Sequence, residues 1–209
     1  HQSGHIAAAL YSAGRLSYFE RPFYAFHVSG GTTEALLVRP NAAQIFEKEL
    51  LAQSLDLKAG QAIDRVGGML GLPFPAGAEL DRLAQQSKRR FAVKPSMKGA
   101  NCCLSGIQNQ CQKMLHAGEC REDIARFCIE SVLAAIDAMA EELLRQDGTY
   151  PFLFAGGVMV SNRVIRDAII QKYDASFAEP SFSCDNAAGI AVLAAAQEKN
   201  LPREQQAGI

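Results

Sequence analysis

The stretch AFHVSGGTTEALLVR, residues 25–39, constrains the fold most. Two alternating runs carrying β-branched residues flank Gly30-Gly31, so the segment predicts a β-hairpin with a glycine turn. QIFEKELLAQS, which follows, reads equally as a third strand or a helix. Helical signals come next. AGQAIDRVGGMLGL predicts a helix ending at Gly71 with Pro73 as its stop, and AGAELDRLAQQSKRR a second. In REDIARFCIESVLAAIDAMAEELLRQDG the residues Ile124, Cys128, Val132, Ile136, Met139 and Leu143 recur every three or four positions. That spacing marks a core helix, ended by Asp147-Gly148.

Beyond residue 148 the pattern changes. PFLFAGGV predicts a short apolar strand running into glycines, and SNRVIRDAIIQKY a helix capped by Ser161 or Asn162. ASFAEPS predicts a weak strand, and CDNAAGIAVLAAAQEKN a helix with Asp185 at its start. A hairpin, then helices, then strand-helix-strand-helix argues for an α/β protein: a mixed sheet with helices on its faces.

Composition narrows the partners. Across 209 residues, 48% are hydrophobic and 21% charged, a globular balance, and the net charge of −1 provides no global field for nucleic acid or membrane. No apolar run approaches the roughly 20 residues of a membrane span. Six cysteines without a C-x-x-C pair read as reduced, intracellular thiols rather than a disulfide framework. One local patch departs from neutrality. SKRRFAVKPSMKG carries Lys88, Arg89, Arg90, Lys94 and Lys98 with no acid, which suits either an RNA backbone or a solvated basic loop.

Several constellations could carry chemistry. His1 and His5 stand at i and i+4, which places both imidazoles on one helical face at one-metal separation. Two ordinary surface histidines fit the same spacing. A metalloprotease would place a glutamate after the first histidine, where this chain has Gln2. Ser29, Gly30, Gly31, Thr32 and Thr33 form a strand-turn whose amides and hydroxyls could hold a phosphate, or simply turn the chain. AGGVMVSN is a second glycine loop leading into a helix N-terminus.

Taken in order, HQSGHIAAAL, HVSGGTTEALLV, KAGQAIDRVGGMLGLPFPAGAELDRLA, CCLSGIQNQ, FAGGVMVSNRVIRDAI and CDNAAGIAVLAA resemble one family. It is the TsaD-type tRNA-adenosine threonylcarbamoyltransferases, formerly called O-sialoglycoprotein endopeptidases or glycoproteases. The resemblance runs from His1 to about Ala196. It implies an actin-like ATPase (ASKHA, ribonuclease H-like) fold of two domains around a nucleotide cleft, of which this chain looks like the second half. Residues 1–20 would then be a helix carrying the metal motif, a remnant of the inter-domain region, and 21–209 the C-terminal domain. The resemblance also implies one divalent metal, iron or zinc, held by His1, His5 and Asp185. It implies an adenine nucleotide, ATP or threonylcarbamoyl-AMP, on Ser29, Gly30, Gly31, Thr32 and Thr33, with Asp64, Gly77 and Asp81 along ribose and base and Asn162 closing the adenine side. The implied activity is transfer of a threonylcarbamoyl group to an anticodon-loop adenosine of tRNA, in the cytoplasm, with partner subunits and without a membrane.

The motifs also depart from the family pattern. Thr32 stands for a histidine, Gln61 for a glutamate, Arg65 for a lysine and Ser3 for the glutamate of the metal motif. Ala76-Gly77-Ala78 replaces G-G-P, Ser105-Gly106-Ile107-Gln108-Asn109 replaces S-G-L-K-T, and GGVMVSN is one residue longer than the usual loop. A non-catalytic paralogue that binds nucleotide or a partner is therefore the alternative, and a metallopeptidase a third. Finally, Ile6 to Leu10 form an apolar run near the start with no obvious cover, which predicts a homodimer through that helix or the adjacent cleft wall.

Overall fold

The computed structural model describes residues 2–182 and 187–200. It opens with helix α1 (Gln2–Ser12) and a 3-10 turn (Leu16–Glu20). Strands β1 (Phe23–Val28), β2 (Thr33–Asn41) and β3 (Ile45–Gln53) form a meander. Helices α2 (Ala59–Met69) and α3 (Gly77–Ala84) follow, then a small hairpin of β4 (Ser96–Lys98) and β5 (Asn101–Cys103). Next come α4 (Ser105–His116) and the long α5 (Arg121–Asp147). The last part runs β6 (Phe152–Ala155), α6 (Gly157–Ser161), α7 (Arg163–Lys172), β7 (Ala175–Phe177), a 3-10 turn (Pro180–Phe182) and α8 (Ala188–Asn200).

The main sheet has the order β3-β2-β1-β6-β7. β1 pairs antiparallel with β2 and β2 with β3, whereas β1–β6 and β6–β7 are parallel. The sheet is mixed because the meander needs only tight turns, while each parallel pair needs a helical crossover, here α2 to α5 and then α7. QIFEKELLAQS resolves as the edge strand β3. Its central Glu47, Lys48 and Glu49 are exposed, and Arg39 on β2 reaches across to Glu49 at 2.8 Å.

Alternation divides the sheet into two buried faces. Tyr24, Phe26, Val28, Leu37, Phe152 and Phe154 face the larger core, which α2, α4, α5 and α7 cover. Phe23, Ala25, Leu36, Val38 and Leu153 face the other way, toward Ile6, Ala9 and Leu10 of α1. The predicted stripe of α5 is the centre of the larger core: Ile124, Cys128, Val132, Ile136, Met139 and Leu143 are all buried. Tyr24 fixes the end of this helix, its hydroxyl donating to Gly148 O at 2.7 Å and lying 3.1 Å from Leu143 O. Burial chiefly, with Asp147 nearby, pushes the Tyr24 phenol up to about 12.

The first helix corrects one expectation. Ala7, Ala8, Ala9 and Leu10 are 0–2% exposed, covered by the sheet and by α8. The helix crossing is close: a Cβ on Gly189 would fall 1.9 Å from Gly4 O, so only glycine lets α8 lie there. The apolar run therefore has its cover within the chain, and the reason for a homodimer through this helix is removed. Five thiols among the described residues are free, and Cys102, Cys111 and Cys128 are buried. A hydrogen bond with Cys111, added to burial, holds the Cys128 thiol well above its ordinary range.

Candidate functional site

The site lies at the carboxyl ends of β1 and β6, where an open α/β sheet offers a crevice. Between β1 and β2 the chain turns through Ser29–Thr32. Ser29 N–H donates to Thr32 O at 2.7 Å, and Ser29 Oγ accepts from the Thr32 and Gly31 amides at 3.1 and 3.3 Å. Most of the turn's amides are thus spent inside it, leaving Gly30 N–H as the one that carries none of these bonds. Helix α2 docks directly on the turn. Gly60 N–H donates to Ser29 O at 3.1 Å, and a Cβ on Gly60 would stand 2.6 Å from Gly30 N. Thr33 is buried and its Oγ1 accepts from Ala59 N–H at 2.9 Å, satisfying one of the orphan amides of α2.

A cleft of about 450 Å³ opens here, lined among others by Ser29, Gly30, Asp64, Gly77, Ser161 and Asn162. Five residues expected at a nucleotide therefore converge from four separated stretches of chain. Asp64 Oδ1 accepts from Ala76 N–H at 2.8 Å, which anchors the start of α3 at Gly77. Asn162 is 1% exposed; its Nδ2 donates to Val158 O at 3.1 Å, while its Oδ1 has no partner among the described residues. A buried acceptor left unpaired costs about 1–3 kcal/mol. Gly31, Thr32, Thr33 and Asp81 do not line the cleft. Asp81 is buried, its Oδ1 accepting from Val164 N–H at 3.1 Å at the start of α7, its Oδ2 from Gln85 at 2.7 Å. Asn162 takes the N-cap position of α7 without a side-chain cap bond, so Asp81 does the capping from another helix.

Of the expected metal ligands, His1 and Asp185 lie outside the described residues. His5 is on α1, and its ring meets His27 of β1 edge-on, centroids 5.5 Å apart. Beside them Glu34, opposite His27 across the β1–β2 pair, accepts from Gln2 Nε2 at 2.6 Å. Among the described residues no set of three histidines, cysteines or acids is placed to hold a metal. His5 is an imidazole donor of the kind an ion of borderline softness takes, but the described residues alone make no complete set for one. Gly189, four residues after Asp185 in sequence, packs on Gly4, the neighbour of His5. His27, which the sequence reading did not single out, is a polar ring at the third inward position of a strand whose first two are Phe23 and Ala25.

The basic segment is partly neutralised. Arg89 pairs with Asp123 at 3.1 Å and with Glu119, and its guanidinium stacks on Phe91 at 4.6 Å. Lys88, Arg90, Lys94 and Lys98 are exposed. Among the described residues no helix is long and apolar enough to cross a membrane.

Comparison with known proteins fits this geometry. Full-length HypF in a phosphate- and nucleotide-bound form superposes with a TM-score of 0.71 at 14% identity, covering 96% of this chain and 42% of that one. The activator of 2-hydroxyisocaproyl-CoA dehydratase from Clostridium difficile, with ADPNP bound, gives 0.57 at 15% identity, over 98% of this chain and 69% of that one. Component A of (R)-2-hydroxyglutaryl-CoA dehydratase from Acidaminococcus fermentans gives 0.58 at 16%, over 94% and 68%. The chain thus spans less than half of HypF, and the fold is that of the actin-like ATPases. The family model described as tRNA N6-adenosine threonylcarbamoyltransferase matches residues 1–192. With that match over most of its length, the chain belongs to the TsaD family.

Proposed function

We propose that this chain binds the adenylate end of an activated threonylcarbamoyl donor and serves its transfer to the exocyclic amine of a tRNA adenosine. The observation that carries the reading is the cleft that Ser29, Gly30, Asp64, Gly77 and Asn162 line together from four separated stretches of chain. In that reaction the acceptor amine attacks the carbamoyl carbonyl, the acyl–phosphate bond breaks and AMP leaves. The glycine turn and α2, locked together at Gly60, hold the donor's phosphate end at a fixed place, which is the positioning an acyl transfer needs. A divalent metal on His1, His5 and Asp185 would supply Lewis acidity toward the donor's oxygens. Partner subunits and a cytoplasmic setting go with the family.

Calorimetric titration with ATP and AMP tests the reading. Asn162→Ala should weaken adenine nucleotide binding about tenfold, the equivalent of one charge-neutral hydrogen bond to a buried group. Guanine nucleotides should bind more weakly than adenine ones. Equal affinity of Asn162→Ala and the native chain for ATP would reject the assignment.

A nucleotide-binding paralogue without transfer is the second reading. Arg65 and Gln108, two positions where the family pattern is altered, bond each other at 3.3 Å and neither lines the cleft. Nucleotide binding without threonylcarbamoylation of tRNA by the longer protein and its partners would favour it. A peptidase gains no support, because Gln2, where the water-activating glutamate would stand, is engaged with Glu34.

A further inference from the structure

We propose that Phe74, in the loop between α2 and α3, is a stacking platform at the rim of the cleft for one unstacked base of the acceptor RNA. The inference rests on the tRNA reading above and assigns a residue to the acceptor's side of the site. Its basis is exposure. Phe74 is 84% exposed, more than any other large apolar side chain among the described residues. A phenyl ring left bare gives up the gain that burial offers it. Only the flanking Pro73 and Pro75 accompany it: the other exposed large apolar side chains stand on elements other than α2 and α3. A protein partner is met by a patch of several apolar side chains. One flat ring standing by itself suits the face of a nucleobase.

The ring sits on a rigid mount. Arg121 Nη2 donates to Leu70 O at 2.5 Å and Leu72 N–H to Gly67 O at 2.9 Å, which fixes the loop where it leaves α2. Its far end is tied by the bond from Ala76 N–H to Asp64, and Ala76 packs on Gly67, where an added Cβ would come 2.2 Å from the Ala76 methyl. Between these anchors Pro73 and Pro75 restrict the backbone around Phe74. A side chain presented in this way loses little freedom when a ligand covers it. Pro75 and Gly77 line the cleft and Phe74 does not, so the ring stands at the rim, outside the space that the donor fills. For its amine to reach a donor in the cleft, the acceptor adenosine must leave the stack of its loop, and the bases beside it lose a stacking partner. Phe74 restores one such stack.

The test is an anisotropy titration of a labelled RNA hairpin with an open loop against the 209-residue chain at fixed salt, with a fully paired RNA duplex as control. Phe74→Leu keeps an apolar side chain and removes the flat face. It should bind the hairpin about 5–100-fold more weakly than the native chain, the worth of one base on one aromatic ring. Phe74→Trp should bind at least as tightly as the native chain. Because the sequence has no tryptophan, that indole is a single reporter, and the hairpin should quench its emission where the duplex does not. ATP affinity and Tm should stay native in both variants, since the ring lines neither the cleft nor the core. Native hairpin affinity in Phe74→Leu overturns the proposal. So does an emission of Phe74→Trp unmoved at saturating hairpin, or a native chain that binds the open loop no better than the duplex. None of these results touches the nucleotide reading, which stands or falls on ATP binding by Asn162→Ala.

Discussion

Replacing Gly60 by alanine separates two opposing effects in one helix. In a helix interior, glycine to alanine ordinarily stabilises by about 1 kcal/mol, because the freer glycine backbone loses more entropy on folding. Gly68, in the same helix, has nothing within 4 Å of its would-be Cβ and should show that gain. At Gly60 the added methyl meets Gly30 N at 2.6 Å, Gly30 Cα at 2.7 Å and Ser29 C at 2.8 Å, all of them backbone. No side chain can rotate away, so α2 and the turn must separate by several tenths of an ångström. Overpacking of this kind costs about 1–3 kcal/mol, and the helix gain offsets part of it. The net expectation is destabilisation of up to about 2 kcal/mol, or a Tm lower by up to about 8 °C for a domain of this size. Gly68→Ala should raise Tm by about 2–4 °C. Thermal unfolding followed by circular dichroism measures both. Gly60→Ala should also weaken ATP binding, since the shifted turn is a wall of the cleft. Parallel rises in Tm for the two variants would refute the idea that α2 is seated on the Ser29–Gly30 backbone.

Three further outcomes follow from other contacts. Asp56 accepts from the Leu104, Ser105 and Leu57 amides and from Ser105 Oγ, so that although burial alone would raise its pKa, these bonds hold it down at about 2, below an ordinary 3.8. The stability it contributes is complete above pH 4 and lost as pH falls toward 2; because Asp56 is exposed, solvent screening reduces it to about 1 kcal/mol, and Asp56→Asn should abolish that part of the urea-monitored pH slope. Tyr24→Phe should cost about 1–2 kcal/mol in urea, through the lost bond to Gly148 O at the end of α5, and an unchanged midpoint would count against that bond. Leu10→Ala should cost about 2–5 kcal/mol, because the side chain is 0% exposed; a near-neutral effect would return α1 to the role of an uncovered interface helix.

What could be read in the sequence was whatever the chain settles within a few residues. The hairpin around Gly30-Gly31, the stripe of α5 and the strand-to-glycine step at Phe152–Gly156 are local patterns, and the structure has each of them. Distant partners were not legible. α4 carries no acidic first turn of its own; its N-terminus is held by Asp56, nearly fifty residues earlier, so SGIQNQCQKMLH gave no cap to recognise. The cover for Ile6–Leu10 comes partly from α8 at the other end of the described chain. Asp81 looked available for a ligand until α7 supplied the Val164 amide. Asn162 was legible as a helix cap and as a member of a motif, but its unpaired oxygen follows from burial, which a one-dimensional pattern does not contain. The strand at Ile45–Gln53 was ambiguous because an edge strand keeps its charges outward and so mimics a polar helix.

The seat of Gly189 on Gly4 also has a consequence in time. Some 185 residues separate these two glycines in the order of synthesis, and at about 5–20 residues per second the ribosome takes roughly 10–40 seconds to pass from one to the other. Throughout that interval the face of α1 meant for α8 is bare, and the small residues that let two backbones touch offer it no other protection. A nascent chain halted before Ala188 should therefore be cut by protease within α1, while one released after Asn200 should resist, so that the last helix acts as the latch that closes the first.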